Sequence, residues 1–347
     1  MPFRSYAATL LFPAIAVLGL TMGGPWLWLL PALTFGLIPA LELVMPSQTA
    51  NRSALEEATV RGQRRYDWLV RSFVPIQWGI LLLFLARMSQ GAWSGHELAG
   101  AIVTMGICCG TFGINVGHEL GHRRERLDQH LAKVALASSL YAHFFLEHNR
   151  GHHSRVSTPG DPASAPLGRS VYGQWLRAIP GTWLAAWRLE ADRLGRKGLS
   201  PWSLQNEHLR LQAAQLALIA GIGLAFGGRA LLGFFAVALF GVLLLETVNY
   251  IEHYGLSRQL DPATGSYERV RPAHSWNSDH PLGRALLFEL SRHSDHHANP
   301  GRPYAALRSS PDAPQLPTGY PGMIVLALFP PLFWAVMHPR VARWQGT

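Results

Sequence analysis

Asn115-Val116-Gly117-His118-Glu119-Leu120-Gly121-His122 closes a run that is apolar from Leu98 onward. Its two histidines stand one helical turn apart, and side chains at i and i+4 share a helix face. Both imidazoles therefore reach one metal ion. Three more clusters follow: Glu147-His148-Asn149-Arg150-Gly151-His152-His153, then Asn249-Tyr250-Ile251-Glu252-His253-Tyr254-Gly255, and Arg292-His293-Ser294-Asp295-His296-His297. The long apolar segments are expected to bring these clusters together on one side of a membrane.

Of 16 histidines, nine lie in the clusters: His118, His122, His148, His152, His153, His253, His293, His296 and His297. One ion takes about four to six ligands, so nine convergent imidazoles imply two ions. Imidazole suits zinc, copper, iron and nickel. An all-histidine pair of sites without cysteine favours redox iron over structural zinc. Glu119, Glu147, Asn249, Glu252 and Asp295 accompany the clusters, with Glu246 slightly upstream. Metal-bound histidines usually donate their second ring N–H to such groups. Direct ligation, or pairing with nearby arginines, stays open for these residues. His96, His208 and His338 read as interfacial polar groups, and His130 and His143 as surface or packing contacts. His274 and His280 are left open between lining the access to the site and ligation.

Hydrophobic residues make up 48% of the 347 residues and charged residues 15%, against about 25% charged in soluble domains. The apolar residues come in blocks. The net charge of +9 comes with no basic domain and no aromatic-basic motif, which argues against nucleic acid. Cys108 and Cys109 are adjacent inside an apolar run. They provide neither a disulfide framework nor a thiolate metal site, so any cysteine-based electron carrier is expected to be a separate protein. The first apolar run lacks the basic region and cleavage site of a signal peptide and reads as a retained span.

A spanning helix needs roughly 20 mostly apolar residues. Six stretches qualify, at about 7–24, 26–45, 69–88, 97–117, 209–227 and 230–250. Gly23-Gly24-Pro25 separates the first two as a tight hairpin. Segments 46–68, 118–208 and 251–347 hold most of the basic residues, while the opposite connections hold only Arg229. The positive-inside rule then puts those segments, with all four clusters, in the cytoplasm. The expected fold is an all-α integral membrane protein. It forms a single domain over residues 1–347, with six transmembrane helices and a histidine-rich cytoplasmic cap of residues 118–208 and 251–347. Within the cap, His130 to Phe145 reads as an interfacial helix, 161–166 as a loop and Trp183 to Lys197 as an amphipathic helix. Gly322 to Met337 reads as a short docked helix broken by Pro330-Pro331. Glu42, at a membrane boundary, either orients a histidine or snorkels to the interface.

His118-Glu119-Leu120-Gly121-His122 also fits the zinc metalloprotease pattern. A protease would leave seven clustered histidines without a role. The chain instead resembles the membrane alkane 1-monooxygenases, within the histidine-rich membrane hydroxylases and desaturases. The resemblance is carried by the four clusters, by Ala273 to Asn277, by Trp202-Ser203 with Asn206-Glu207, and by Leu316 to Met323. It implies a diiron centre on the nine histidines, with two non-haem iron ions, and terminal hydroxylation of an n-alkane with O2 as co-substrate. Electrons would come from rubredoxin and its NAD(P)H-dependent rubredoxin reductase, in a bacterial inner membrane with the metal site on the cytoplasmic side. Arg123, Arg124, Arg126 and Arg302 would attract an acidic rubredoxin. The family's chain-length gate on the second span falls at Thr34, Phe35 and Gly36, where small residues either deepen the substrate channel or only aid helix packing. The alternatives are a xylene-type methyl hydroxylase, a fatty acyl desaturase and a metal-binding membrane transporter.

Overall fold

The computed structural model describes residues 1–346. Helices dominate, and five are long and apolar enough to cross a membrane. These are α1 (Phe3–Met22), α2 (Gly24–Val44), α3 (Arg64–Ser89), α4 (Gly95–Gly121) and a fifth, Glu207–His253. Shorter helices fill the cap: α5 (Arg126–Ala137) and α6 (Val171–Gly195), then, after α7 (Glu207–His253), α8 (Pro281–Leu286), α9 (His293–Ala298), α10 (Tyr320–Ala327) and α11 (Pro330–Gln345).

The last two expected spans form one 47-residue helix, α7, broken at Gly227, where φ is 80° and ψ 174°. Only glycine takes such a backbone without penalty, so this residue makes the turn. Gly23 and Gly24, both at positive φ, do the same between α1 and α2. The expected helix from His130 to Phe145 stops at Ala137, and Leu140 turns the chain at φ 53°. The helix expected from Trp183 starts earlier, at Val171, capped by the Ser170 side chain. The stretch 322–337 is two helices, α10 and α11, the second opening on Pro330 at the position where a missing N–H costs nothing. The all-α expectation also omitted a hairpin pairing Leu260–Asp261 with Ser266–Tyr267.

Helix α4 lies at the centre of the bundle because its glycines let neighbours touch its backbone. A Cβ on Gly106 would lie 2.5 Å from Phe240, and one on Gly110 2.7 Å from Leu244, both on α7. On another side, Gly113 faces Ser138 at 2.7 Å and Gly117 faces Leu136 at 2.8 Å. Small residues at such spacing permit the close approach that drives association in lipid. Residues Cys109–Asn115 of α4 form a π-turn immediately before the first histidine pair. Such turns recur at functional sites because they re-aim the side chains that follow.

Glu42 neither contacts a histidine nor snorkels. It is buried, and its carboxylate accepts the Gly283 N–H of α8 at 2.6 Å. Gly319, at the start of α10, packs directly on that carboxylate, leaving no space for a Cβ. Gly319→Ala is expected to destabilise by about 1–3 kcal/mol, the usual range for overpacking, read as a lower unfolding midpoint in detergent. Glu42→Ala removes the obstructing group, so the double variant should lose less than the sum of the single losses.

Candidate metal centre

All nine clustered histidines converge, and they do so in two sets. His118, His122, His148, His153 and His296 form one, and His152, His253, His293 and His297 the other. Within each set one ligand atom per residue lies within 4.8 Å of every other. Opposed ring nitrogens come to 3.0 Å for His118 and His296, 3.0 Å for His148 and His153, and 2.9 Å for His293 and His297.

Local backbone geometry decides which histidine joins which set. His118 and His122, one α-turn apart on α4, stay together, as do His293 and His297 on α9. His148–His152 is a π-turn, and its i→i+5 hydrogen bonding widens the turn. The widened turn overlays His148 with His153 and sends His152 to the other set. His253 ends α7 and closes the second set, its Nε2 3.3 Å from that of His293.

The donor set fits metal ions. Burial, then the neighbouring imidazoles, hold His148, His153, His293 and His297 well below the usual histidine range, so their lone pairs are free near neutral pH. The Nε2 atoms of His122 and His152 are buried without a hydrogen-bond partner. Each such group left unsatisfied costs about 1–3 kcal/mol, and a cation between the rings would remove that cost. His152 differs. Burial lowers its affinity for a proton, but the Asp161 carboxylate, 2.9 Å from Nδ1, outweighs this and raises it. The same bond keeps the proton on Nδ1 and leaves Nε2 free toward the second set.

Asp161 was expected only as a loop residue. It is fully buried, and also accepts from Ser164 Oγ at 2.6 Å. Nothing in its position nine residues after His152 marked it. Ser275 Oγ lies 3.4 Å from His253 Nδ1 in the same manner. Of the five residues expected to orient histidines, only Glu252 touches one, its Oε2 3.1 Å from His293 Nε2. Glu119 holds Arg123 at 3.1 Å and the Tyr304 N–H, Glu147 holds Arg155 at 2.9 Å, and Asp295 holds Arg302 at 2.7 Å and the Arg308 N–H. Asn249 donates to Glu246, which also accepts from Tyr141. Nearby guanidiniums outcompete neutral imidazole for a buried carboxylate, because a charge-assisted bond is roughly twice as strong.

His274 bonds to the Arg271 N–H and Glu268, and His280 to Ser278, so both lie outside the two sets. His208, expected at an interface, is fully buried against Trp183. A small apolar cavity is lined by Thr34, Phe35, Thr111, Leu244, Leu286 and Leu287, among others, and by Asn115 and Leu290, which stand three residues before His118 and His293. Gly36 is exposed and does not line it.

Seven of the nine histidines are buried; His122 and His153 are half-buried. Both face a surface depression of about 380 Å³ that also contacts Arg123, Arg124, Lys133, Arg150 and Gly301. Arg123 is tied to Asp67 and Glu119, and Arg302 to Asp295. Arg124 and Arg126 are exposed, with no ion pair among the described residues.

Residues 92–327 match the fatty acid desaturase family model. The chain is 41% identical over 342 residues to alkane 1-monooxygenase 1 of Alcanivorax borkumensis, covering 97% of this chain and 84% of that one. It is 43% identical over 347 residues to alkane 1-monooxygenase 2 of Pseudomonas aeruginosa, covering 96% and 91%. The xylene/toluene monooxygenase hydroxylase component of Pseudomonas putida is 30% identical over 344 residues, covering 96% and 87%. With five apolar helices long enough to cross a bilayer and two buried histidine sets, this chain belongs to the alkane 1-monooxygenase family of multi-pass membrane oxidoreductases.

Proposed function

We propose that the chain hydroxylates the terminal methyl of n-alkanes to 1-alkanols, using O2 and two non-haem irons. The observation that carries this is the division of nine converging histidines into two adjacent sets, on a chain whose relatives are alkane 1-monooxygenases. His118, His122, His148, His153 and His296 would hold one iron, and His152, His253, His293 and His297 the other. When bound, the irons supply reductive activation of O2 and attack on an unactivated C–H bond.

The chain's own residues supply the rest. Asp161 and Ser275 fix the ring orientations of His152 and His253. Leu244, Leu245, Val248 and Ile324, with Thr34 and Phe35, form an apolar wall for a substrate that has no polar handle. Its binding comes from burial, at roughly 0.8 kcal/mol per methylene, and the same wall excludes water.

Six spans follow if α7 crosses twice, turning at Gly227. Even topology and the basic 46–68, 118–208 and 251–347 segments then put the histidine cap in the cytoplasm of a bacterial inner membrane. The whole chain, residues 1–347, acts as one membrane hydroxylase domain. A rubredoxin, reduced by an NAD(P)H-dependent rubredoxin reductase, delivers electrons at the depression where His122 and His153 reach the surface. Arg124 and Arg126 are the free charges for steering it; Arg123 and Arg302 are committed to internal carboxylates.

Purified protein should carry about two irons and little zinc per chain. With supplied rubredoxin and reductase it should convert octane or hexadecane to the 1-alkanol. Turnover of xylene in preference to alkanes, or formation of an alkenyl product from an acyl chain, would replace this assignment. Asp161→Ala should lower iron retention or turnover by about 10–100-fold, as loss of a ligand-orienting carboxylate does, with iron per chain as the direct measurement. Arg124→Glu should slow reduction by rubredoxin at low salt and flatten its salt dependence; an unchanged rate would exclude steering by this residue.

A further inference from the structure

Two cavities meet at Leu286. The inner one, lined by Asn115 and Leu290, each three residues short of a clustered histidine, has about 40 Å³, room for about three waters at 10–15 Å³ each. The outer one has about 510 Å³ and is bounded by Met1, Leu11, Phe12, Ile38, Leu282 and Leu286. Leu11 on its rim is 62% exposed, and Leu37 and Leu41 beside it on α2 are 49% and 39% exposed. This outer cavity thus opens beside an apolar helix surface suited to lipid chains. Leu286 lines both cavities, and no polar side chain other than Ser5, Thr9 and Gln48 lines the outer one.

The segment carrying Leu286 is held in an unfavourable backbone. Phe288 and Glu289 follow it at φ 52° and 59°, a region non-glycine residues avoid. Strain of this kind persists where surrounding contacts over-determine it. Here Arg284 and Tyr6 grip the Glu289 carboxylate at 2.7 and 2.6 Å, Asn115 holds the Leu287 carbonyl at 3.0 Å, and Thr9 holds that of Ala285 at 3.1 Å. The left-handed turn aims Leu286, Leu287 and Leu290 into one small cavity, three residues short of His293.

We propose that Leu286 is the gate between a lipid-facing vestibule and the reaction chamber, and a determinant of chain-length specificity. This rests on the alkane-hydroxylase reading above. As closed, the inner cavity is too small for an alkane. Rotation of one leucine side chain joins the two spaces into a path that admits the chain from the bilayer edge. Leu286 acts through the shape of that path and touches no metal-ligating histidine.

The test uses the iron-loaded full-length protein in lipid nanodiscs. The ratio of kcat/KM for hexadecane to that for octane is measured for wild type, Leu286→Ala, Leu286→Met and Leu286→Phe. Leu286→Ala should raise the ratio and Leu286→Phe lower it, each by roughly tenfold, the discrimination carried by small changes in an apolar pocket. Leu286→Met should stay near wild type. The shift in unfolding midpoint on adding hexadecane reports binding without turnover, and should grow in Leu286→Ala. An unchanged ratio and midpoint shift in Leu286→Ala with normal iron content would overturn the gate, even if Leu286→Phe failed to fold. Failure of the wild type to produce any 1-alkanol would instead sink the hydroxylase reading, while the midpoint shifts still judged the gate.

Discussion

Nine imidazoles packed within a few ångströms of one another are the constraint to which the fold answers. Burial holds His122, His148, His153, His293, His296 and His297 below the usual histidine range, so protonation does not relieve the crowding of their lone pairs. Cations bound at the two foci would relieve it directly, and the coordination would repay the desolvation of every ring. This is the metal-linked stabilisation seen where a site does not form in the unfolded chain. The four histidine-bearing segments are spread from residue 118 to residue 297, so holding them together requires the bundle.

The bundle meets that requirement by stiffness around α4. Its glycine face admits α7 and the α5 turn to backbone contact, and the π-turn ahead of His118 sets the direction of the first pair. The acidic residues near the clusters act one step further out. Glu119 pins Arg123, which also reaches Asp67 on α3, and Asp295 pins Arg302 and the Arg308 N–H. These are partly buried, charge-assisted bonds, stronger than exposed pairs. Those at Asp295 tie the chain between His297 and α10 to α9, and the Tyr304 N–H donated to Glu119 ties it to α4. Glu42 performs the same service on the other side, joining α2 to α8 and α10.

The distribution of burial gives the centre two different faces. Toward the membrane it is walled by Leu244, Leu287, Leu290 and Val248, consistent with an apolar substrate. Toward the cap surface only His122 and His153 are half-exposed, inside a depression whose charges are mostly paired. The half-exposed histidines and the apolar cavity thus have different surroundings, one lined by charged residues and the other by leucines.

Composition and histidine spacing by themselves determined the class: apolar blocks long enough for a bilayer, and more imidazoles than one ion can use. They also identified all nine histidines that converge, because a cluster at helical spacing is a local property. Tertiary structure alone decided the division into five and four, since a π-turn at His148–His152 reverses which neighbour faces which set. It alone found Asp161, whose partner His152 is reached only when the loop folds back into the core. It also settled the roles left open for Glu119, Glu147 and Asp295 in favour of arginines, because competition among partners for one carboxylate depends on which side chains arrive in space. Spacing along a chain reports the directions in which side chains can point; only packing determines what they meet.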